Sequence, residues 1–320
     1  MKRNQVLIAC AVLAAIAGAY ALGQRNAPGP LAGEFAITAD AGATASESRA
    51  ATALTAEAAA PGGSLPLPGA PLKDNFARLQ ARANAGDAAA AARLVHDLDR
   101  CRRLNASQWK DASDANELTA RSTEGMTPAQ LQTYQLLLDA AALRQRRAGE
   151  GQALCADVGD AMLGSLVANI AQAARLGDAD ARACYLDRGP LYDARSLLAH
   201  PESLRAYRSQ ASALVNAGLA AGDWRTVDLL QRAYQPGAQG LLAGLVGADP
   251  LQHYRYLKLY RLGAEAHRSG KLDRQLAVAA NGLTPVQIAQ ADAWAETALR
   301  DRFEGRSTHA TPEGWDACAF

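Results

Sequence analysis

The chain has 320 residues, with 33 lysines and arginines against 32 acidic residues and a formal net charge of +1. This balance excludes a strongly electrostatic nucleic-acid binder, whose affinity comes from clustered cations, and glycine without a three-residue period excludes collagen. Roughly 75 residues are alanine, far above ordinary usage, and β-branched runs are scarce, so an all-α protein is expected.

Met1-Lys2-Arg3-Asn4 precedes an apolar run from Val6 to Leu22. A short basic head and an apolar core form an export signal. At about 17 residues the run also reaches the lower limit for a membrane-spanning helix. Ala17-Gly18-Ala19 and Ala19-Tyr20-Ala21 both fit an A-x-A cleavage site, so residues 1–23 read as a signal peptide or a single-pass signal anchor. In both cases the bulk of the chain is exported, because Lys2 and Arg3 stay on the cytoplasmic side. The expected location is the periplasm of a Gram-negative bacterium, touching the inner membrane only through this segment. Leu7-Ile8-Ala9-Cys10 resembles a lipobox, but too few apolar residues precede Cys10 to form a signal core, and the thiol reads as a small apolar side chain. Residues 24–71 are rich in Ala, Pro, Gly, Ser and Thr, hold no period beyond one turn, and read as a disordered tether.

The folded unit is expected over 72–320. Within it, Ala85-Gly86-Asp87-Ala88 recurs as Leu176-Gly177-Asp178-Ala179 and as Ala221-Gly222-Asp223-Trp224, with a weaker fourth copy at Ser269-Gly270-Lys271-Leu272. Glycine takes the left-handed conformation past one helix, and aspartate accepts from the free N–H groups of the next. From Gly177 to Gly222 is 222 − 177 = 45 residues. The same shift lays Met162 on Tyr207, Leu166 on Ala211 and Ile170 on Val215, four apart on one helix face. Such a period with paired helices is the mark of a solenoid.

These turns, best seen in residues 171–185 and next in 81–94, resemble those of Sel-one-like repeats, relatives of the tetratricopeptide repeat. The resemblance implies a right-handed α-superhelix serving as a protein-binding scaffold, in bacteria often exported. An irregular helical bundle is the alternative architecture.

Between these turns, Thr127-Pro128 and Thr284-Pro285 are helix starts, each with a threonine cap and proline at the first helical position. The first should launch a helix through about Arg147, with Leu131, Tyr134, Leu138 and Ala141 on one stripe. The stretch Gly237 to Pro250 reads as a loop or a distorted short helix. Four cysteines besides Cys10 allow three disulfide pairings. Cys101–Cys155 is preferred, the first following an Ala88–Arg103 helix and the second in a Gly149–Gly159 turn. Cys184–Cys318 is then the remaining pair. No CxxC and no close Cys/His pair points to zinc, and no cofactor motif is present.

His96, His200, His253, His267 and His309 are scattered. Glu202-Ser203 is similar to the Glu-Ser that opens the catalytic helix of lytic transglycosylases, which would make Glu202 a general acid, but Pro201-Glu202 also reads as a plain helix start. The richest surface candidate is His253 to Arg261, where Tyr254, Tyr256, Lys258, Tyr260 and Arg261 combine the residues enriched in interaction hot spots. The same tyrosines could instead fill the space between repeat helices, and Trp224 reads as a packing residue. The expected function is an exported envelope scaffold that holds another envelope protein without catalysis. The alternative is a peptidoglycan-acting enzyme using Glu202.

Overall fold

The helix-turn-helix chemistry sets the chain's course. After the helix α1 (Leu72–Asn84), Gly86 adopts φ 91°, and Asp87 N–H donates to the Arg82 carbonyl at 3.0 Å while Gly86 N–H donates to the Ala83 carbonyl at 3.0 Å. This paired pattern closes a helix around a left-handed residue, a role glycine fills without a Cβ penalty. The same two bonds recur at Gly177-Asp178 and Gly222-Asp223, with φ 99° and 64° at the glycines. At all three sites the aspartate Oδ1 accepts from a backbone amide of the next helix: Ala90, Ala181 and Arg225, at 3.0, 2.7 and 3.1 Å.

The computed structural model describes residues 64–193, 197–198, 200–303, 305 and 307–320, with the side chains of 107–117, 147–148 and 150 excepted. The segment 1–23, Cys10 and the part of the tether up to residue 63 lie outside the described residues. Among the described residues there are helices and no strand: after α1 come α2 (Ala88–Thr119), α3 (Pro128–Cys155), α4 (Asp160–Gly164), α5 (Leu166–Arg175), α6 (Ala179–Asp187), α7 (Ser203–Ala220), α8 (Trp224–Ala233), α9 (Leu241–Val246), α10 (Pro250–Leu262), α11 (Ala266–Ala280) and α12 (Pro285–Ala298). The protein is all-α. Among the described residues, no helix is long and apolar enough to cross a membrane.

Helices pack mainly on their chain neighbours: α1 on α2, α5 on α6, α7 on α8, α8 on α10, and α10 on both α11 and α12. The α2 helix also packs on α5, over the α3–α4 excursion. Leu166, Ile170, Tyr207, Ala211 and Val215 are all 1% exposed or less, but Met162, expected to align with Tyr207, is half-buried and lies on the separate short helix α4 rather than on the face of Leu166 and Ile170. Between these hairpins lies a buried ion pair. Arg182 Nη2 on α6 donates to Asp223 Oδ2 at 2.7 Å, and both residues are under 9% exposed. Asp223 thus caps α8 with one oxygen and holds the preceding hairpin with the other.

Several expectations are corrected. The tether does not extend to residue 71: Arg93, held by Asp97 at 2.7 Å, donates to the carbonyls of Pro66 and Leu67 at 3.4 and 3.1 Å and fixes that stretch against α2. The helices α2 and α3 outrun their expected ends, and Cys155 is the last residue of α3 rather than part of a turn. Gly151 sits inside α3 because a Cβ there would stand 3.3 Å from the Leu104 side chain on α2, and this close approach serves the Cys101–Cys155 disulfide, whose Cα atoms are 5.3 Å apart. Cys184 pairs with Cys318. Both threonine starts carry full capping boxes, with Gln130 and Gln287 as the reciprocal partners.

Gly270 is not a turn. It lies inside α11, exposed and without a positive φ. Lys271 cannot accept the amide bonds that aspartate accepts at the other three sites, while Leu272 and Leu276 supply a buried helical face. The chain turns earlier, at Gly263, where a Cβ would strike the Trp224 ring at 2.3 Å. Gly270→Ala should therefore stabilise the protein by about 0.5–1 kcal/mol, since alanine is the better helix former and meets only Arg274 at 3.9 Å. Chemical unfolding of the variant reads this directly; a loss of stability would restore the turn.

Candidate functional site

The tyrosine-rich helix α10 is interior. Tyr254, Tyr256 and Tyr260 are 5%, 0% and 2% exposed, so the expectation that they line an open binding surface is corrected. Tyr256 stacks on Tyr234 with ring centres 5.8 Å apart and meets Trp294 edge-on at 5.3 Å. Tyr254 donates to Asp292 at 3.2 Å, and burial together with that carboxylate raises its pKa to about 12. Lys258 pairs with Asp292 at 3.0 Å, and Arg261 with Asp273 through two bonds of 2.6 and 3.0 Å. The three tyrosines are thus committed inside the molecule, while Lys258 and Arg261 are half-buried and held in ion pairs nearer the surface. A buried tyrosine keeps its ring dry and its hydroxyl partnered, and these have partners on α12 and beyond that sequence spacing does not reveal. Trp224 is likewise interior, with its ring centre 4.5 Å from that of Phe303.

Glu202 does not have the environment of a general acid. It stands exposed at the start of α7, its Oε1 3.2 Å from His200 Nδ1. Its own backbone amide and His200 hold its carboxyl below the usual range, so it is ionised at neutral pH. A donor acid needs its pKa raised, by burial or a like charge.

Two features that the sequence left unmarked come together instead. The first is a cleft of about 710 Å³ between α8 and α11, floored by α10. Leu257, Val278 and Ala279 give it apolar surface, Lys271 and Arg274 stand on its rim, and among the described residues no carboxylate lines it. Val278 is 71% exposed. His253 Nδ1 is 2.6 Å from the Gln231 carbonyl, so that nitrogen carries the ring proton.

The second feature is a strap, residues 307–320, which crosses from the last helices back to the first. Tyr260 donates its hydroxyl proton to the Thr311 carbonyl at 2.9 Å. Lys271 pairs with Glu313, Arg232 lies 5.7 Å over the Trp315 ring, and Arg188 pairs with Asp316 at 3.0 Å. The Cys184–Cys318 disulfide follows, Arg103 donates to the Cys318 carbonyl, and Phe320 meets Tyr192 and His96 edge-on. Asp99, 2% exposed, anchors this end by accepting from Tyr192 at 2.5 Å and Arg103 at 2.6 Å. Along its course the strap walls a second cavity of about 330 Å³, and Gln231, Lys271 and Gln275 line both cavities.

No family model, curated protein or solved structure matches the chain. Its function therefore rests on the chemistry of this region. Among the described residues no group of three histidine, cysteine or acidic side chains could hold a metal ion.

Glu265 fixes where the strap begins. Burial works to raise its carboxyl, but its own backbone amide, Thr308, Arg268 and Ser307 outweigh this and hold it down to about 2. Its oxygens accept from Thr308 at 3.0 Å, Arg268 at 3.1 Å and Ser307 at 3.2 Å. A carboxyl whose pKa is lower folded than unfolded, here about 2 against about 4.3, adds stability that is full above the unfolded value and is lost as pH falls from there toward 2. Glu265→Gln should cost about 1–3 kcal/mol at pH 7 and flatten that acid limb, as read by unfolding midpoints between pH 7 and 2.

Proposed function

We propose that the protein is an exported helical-repeat scaffold of the bacterial envelope, working in the periplasm, which presents the cleft between α8 and α11 to a protein partner and performs no catalysis. The observation that carries this reading is the cleft itself: apolar in its floor, cationic at its rim, and without a carboxylate to act as acid or base. The two disulfides are compatible with an exported protein, since such bonds persist in oxidising compartments. The three glycine-aspartate turns support a solenoid of paired helices related to Sel-one-like repeats.

The reading is tested by crosslinking the exported protein in living cells and identifying what it holds by mass spectrometry. A stoichiometric envelope protein is the expected result. Recovery of glycan fragments alone, with muropeptide release that Glu202→Gln abolishes, would replace the scaffold with the cell-wall enzyme.

A further inference from the structure

The strap shows what kind of chain this region accommodates. Where it passes α8 and α11, its acidic Glu313 is taken by Lys271 of α11, and two residues later Trp315 lies under Arg232 of α8. The cavity it walls and the cleft are neighbours that share Gln231, Lys271 and Gln275, and the strap covers only the first of them. In the cleft the pattern of α11 repeats. Arg274 lies three residues beyond Lys271, on the same helical face, is exposed, and has no charged or hydrogen-bonding partner among the described residues. Beside it, Val278 and Ala279 from α11 and Leu257 from α10 offer an apolar surface.

We propose that the cleft binds an extended segment of a second protein in which an acidic side chain stands close to an aromatic or large apolar one, the carboxylate on Arg274 and the apolar group over Leu257, Val278 and Ala279. This names the partner class for the scaffold proposed above and rests on that reading. The acidic contact is that of Glu313 with Lys271 carried about one helical turn further along α11, and the apolar contact is the cleft's own. Among the described residues the cleft itself is lined by no carboxylate, which makes it selective against basic segments, and rim charges of this sort set salt dependence and partner choice.

The test uses the oxidised full-length protein and a labelled, end-capped peptide, Pro-Glu-Gly-Trp-Asp, which repeats residues 312–316, read by fluorescence anisotropy. The peptide should bind, and Arg274→Glu should weaken it at least tenfold. Exchanging the peptide's glutamate for lysine should weaken binding to the native protein by a similar factor and restore it to the Arg274→Glu protein. Val278→Asp, an exposed change that leaves the fold intact, should also weaken the native peptide.

Equal affinity for the acidic and the basic peptide would overturn the proposal. So would binding that depends on Lys271 and not on Arg274, because that would be displacement of the strap. Self-association of the protein that Arg274→Glu abolishes would assign the cleft to a second copy instead. If crosslinking in cells captures the same envelope partner with native and Arg274→Glu protein, the cleft assignment fails while the scaffold stands. If neither protein captures a partner, both fail.

Discussion

Replacing Cys184 and Cys318 together by serine should cost about 4–5 kcal/mol of unfolding free energy. The bridge joins residues 134 apart in sequence, and the entropy removed from the unfolded chain grows with the logarithm of that loop. The Cys101–Cys155 bridge closes a separation of 54, so its removal should cost less, by roughly 0.5–1 kcal/mol. Urea unfolding of both variants measures the difference. The Cys184–Cys318 variant should also release the far end of the strap. Arg103 and Asp99 then hold only Tyr192 and the Cys318 carbonyl, and limited proteolysis should cut the strap before any helix. A loss below about 1 kcal/mol with an uncut strap would mean that the polar and aromatic contacts alone hold it.

Arg182→Met should cost about 3–5 kcal/mol, because it leaves the buried Asp223 carboxylate with only its cap to the Arg225 amide at 3.1 Å and a 3.5 Å contact to the Arg225 guanidinium in place of its 2.7 Å charged partner. Asp223→Ala should cost at least as much, since it strands the Arg182 guanidinium and also removes the cap of α8. The double variant Arg182→Met with Asp223→Ser should recover at least half of the single losses. Serine can still cap the helix, and no unpaired charge remains in the interior. Thermal unfolding of the three variants checks this. Additive losses would show that the two side chains do not act as a pair, and that the hairpins are joined by apolar packing alone.

What was legible in the sequence was the chemistry that stays local. A glycine followed by aspartate between helical stretches states its own geometry, because both the left-handed residue and the cap act within a few residues. The turns at Gly86, Gly177 and Gly222 are therefore where spacing places them. Gly270 breaks the rule for the same local reason, lacking the acceptor that starts the next helix. The disulfide pairing was also within reach, since a long connecting helix that returns on itself brings Cys155 to Cys101 and leaves Cys184 with Cys318.

Burial on α10 was not legible. Tyr254 and Tyr256 are covered by Asp292 and Trp294 of α12, Tyr260 by Thr311 of the strap, and those elements lie tens of residues away. The tyrosine-arginine composition of a contact patch and that of a helical interior are the same, so only the fold separates them. The cleft has no motif, because its walls come from α8, α10 and α11, and its most telling residue, Arg274, is distinguished only by having no partner among the described residues. The alanine content had a structural meaning beyond helix propensity: Ala90, Ala91, Ala173, Ala211 and Ala291 are all 2% exposed or less, at positions where larger side chains would hold neighbouring helices apart.

The most direct test of the account is site-resolved photocrosslinking in cells, with a photoreactive residue placed at Val278 in the cleft and, separately, at Leu136 on the exposed side of α3. A crosslink to one envelope protein from Val278 and none from Leu136 is expected, with the joined peptide mapping to an acidic segment that carries a large apolar residue. Crosslinks from Leu136 alone, or from Val278 to a segment without a carboxylate, would contradict it.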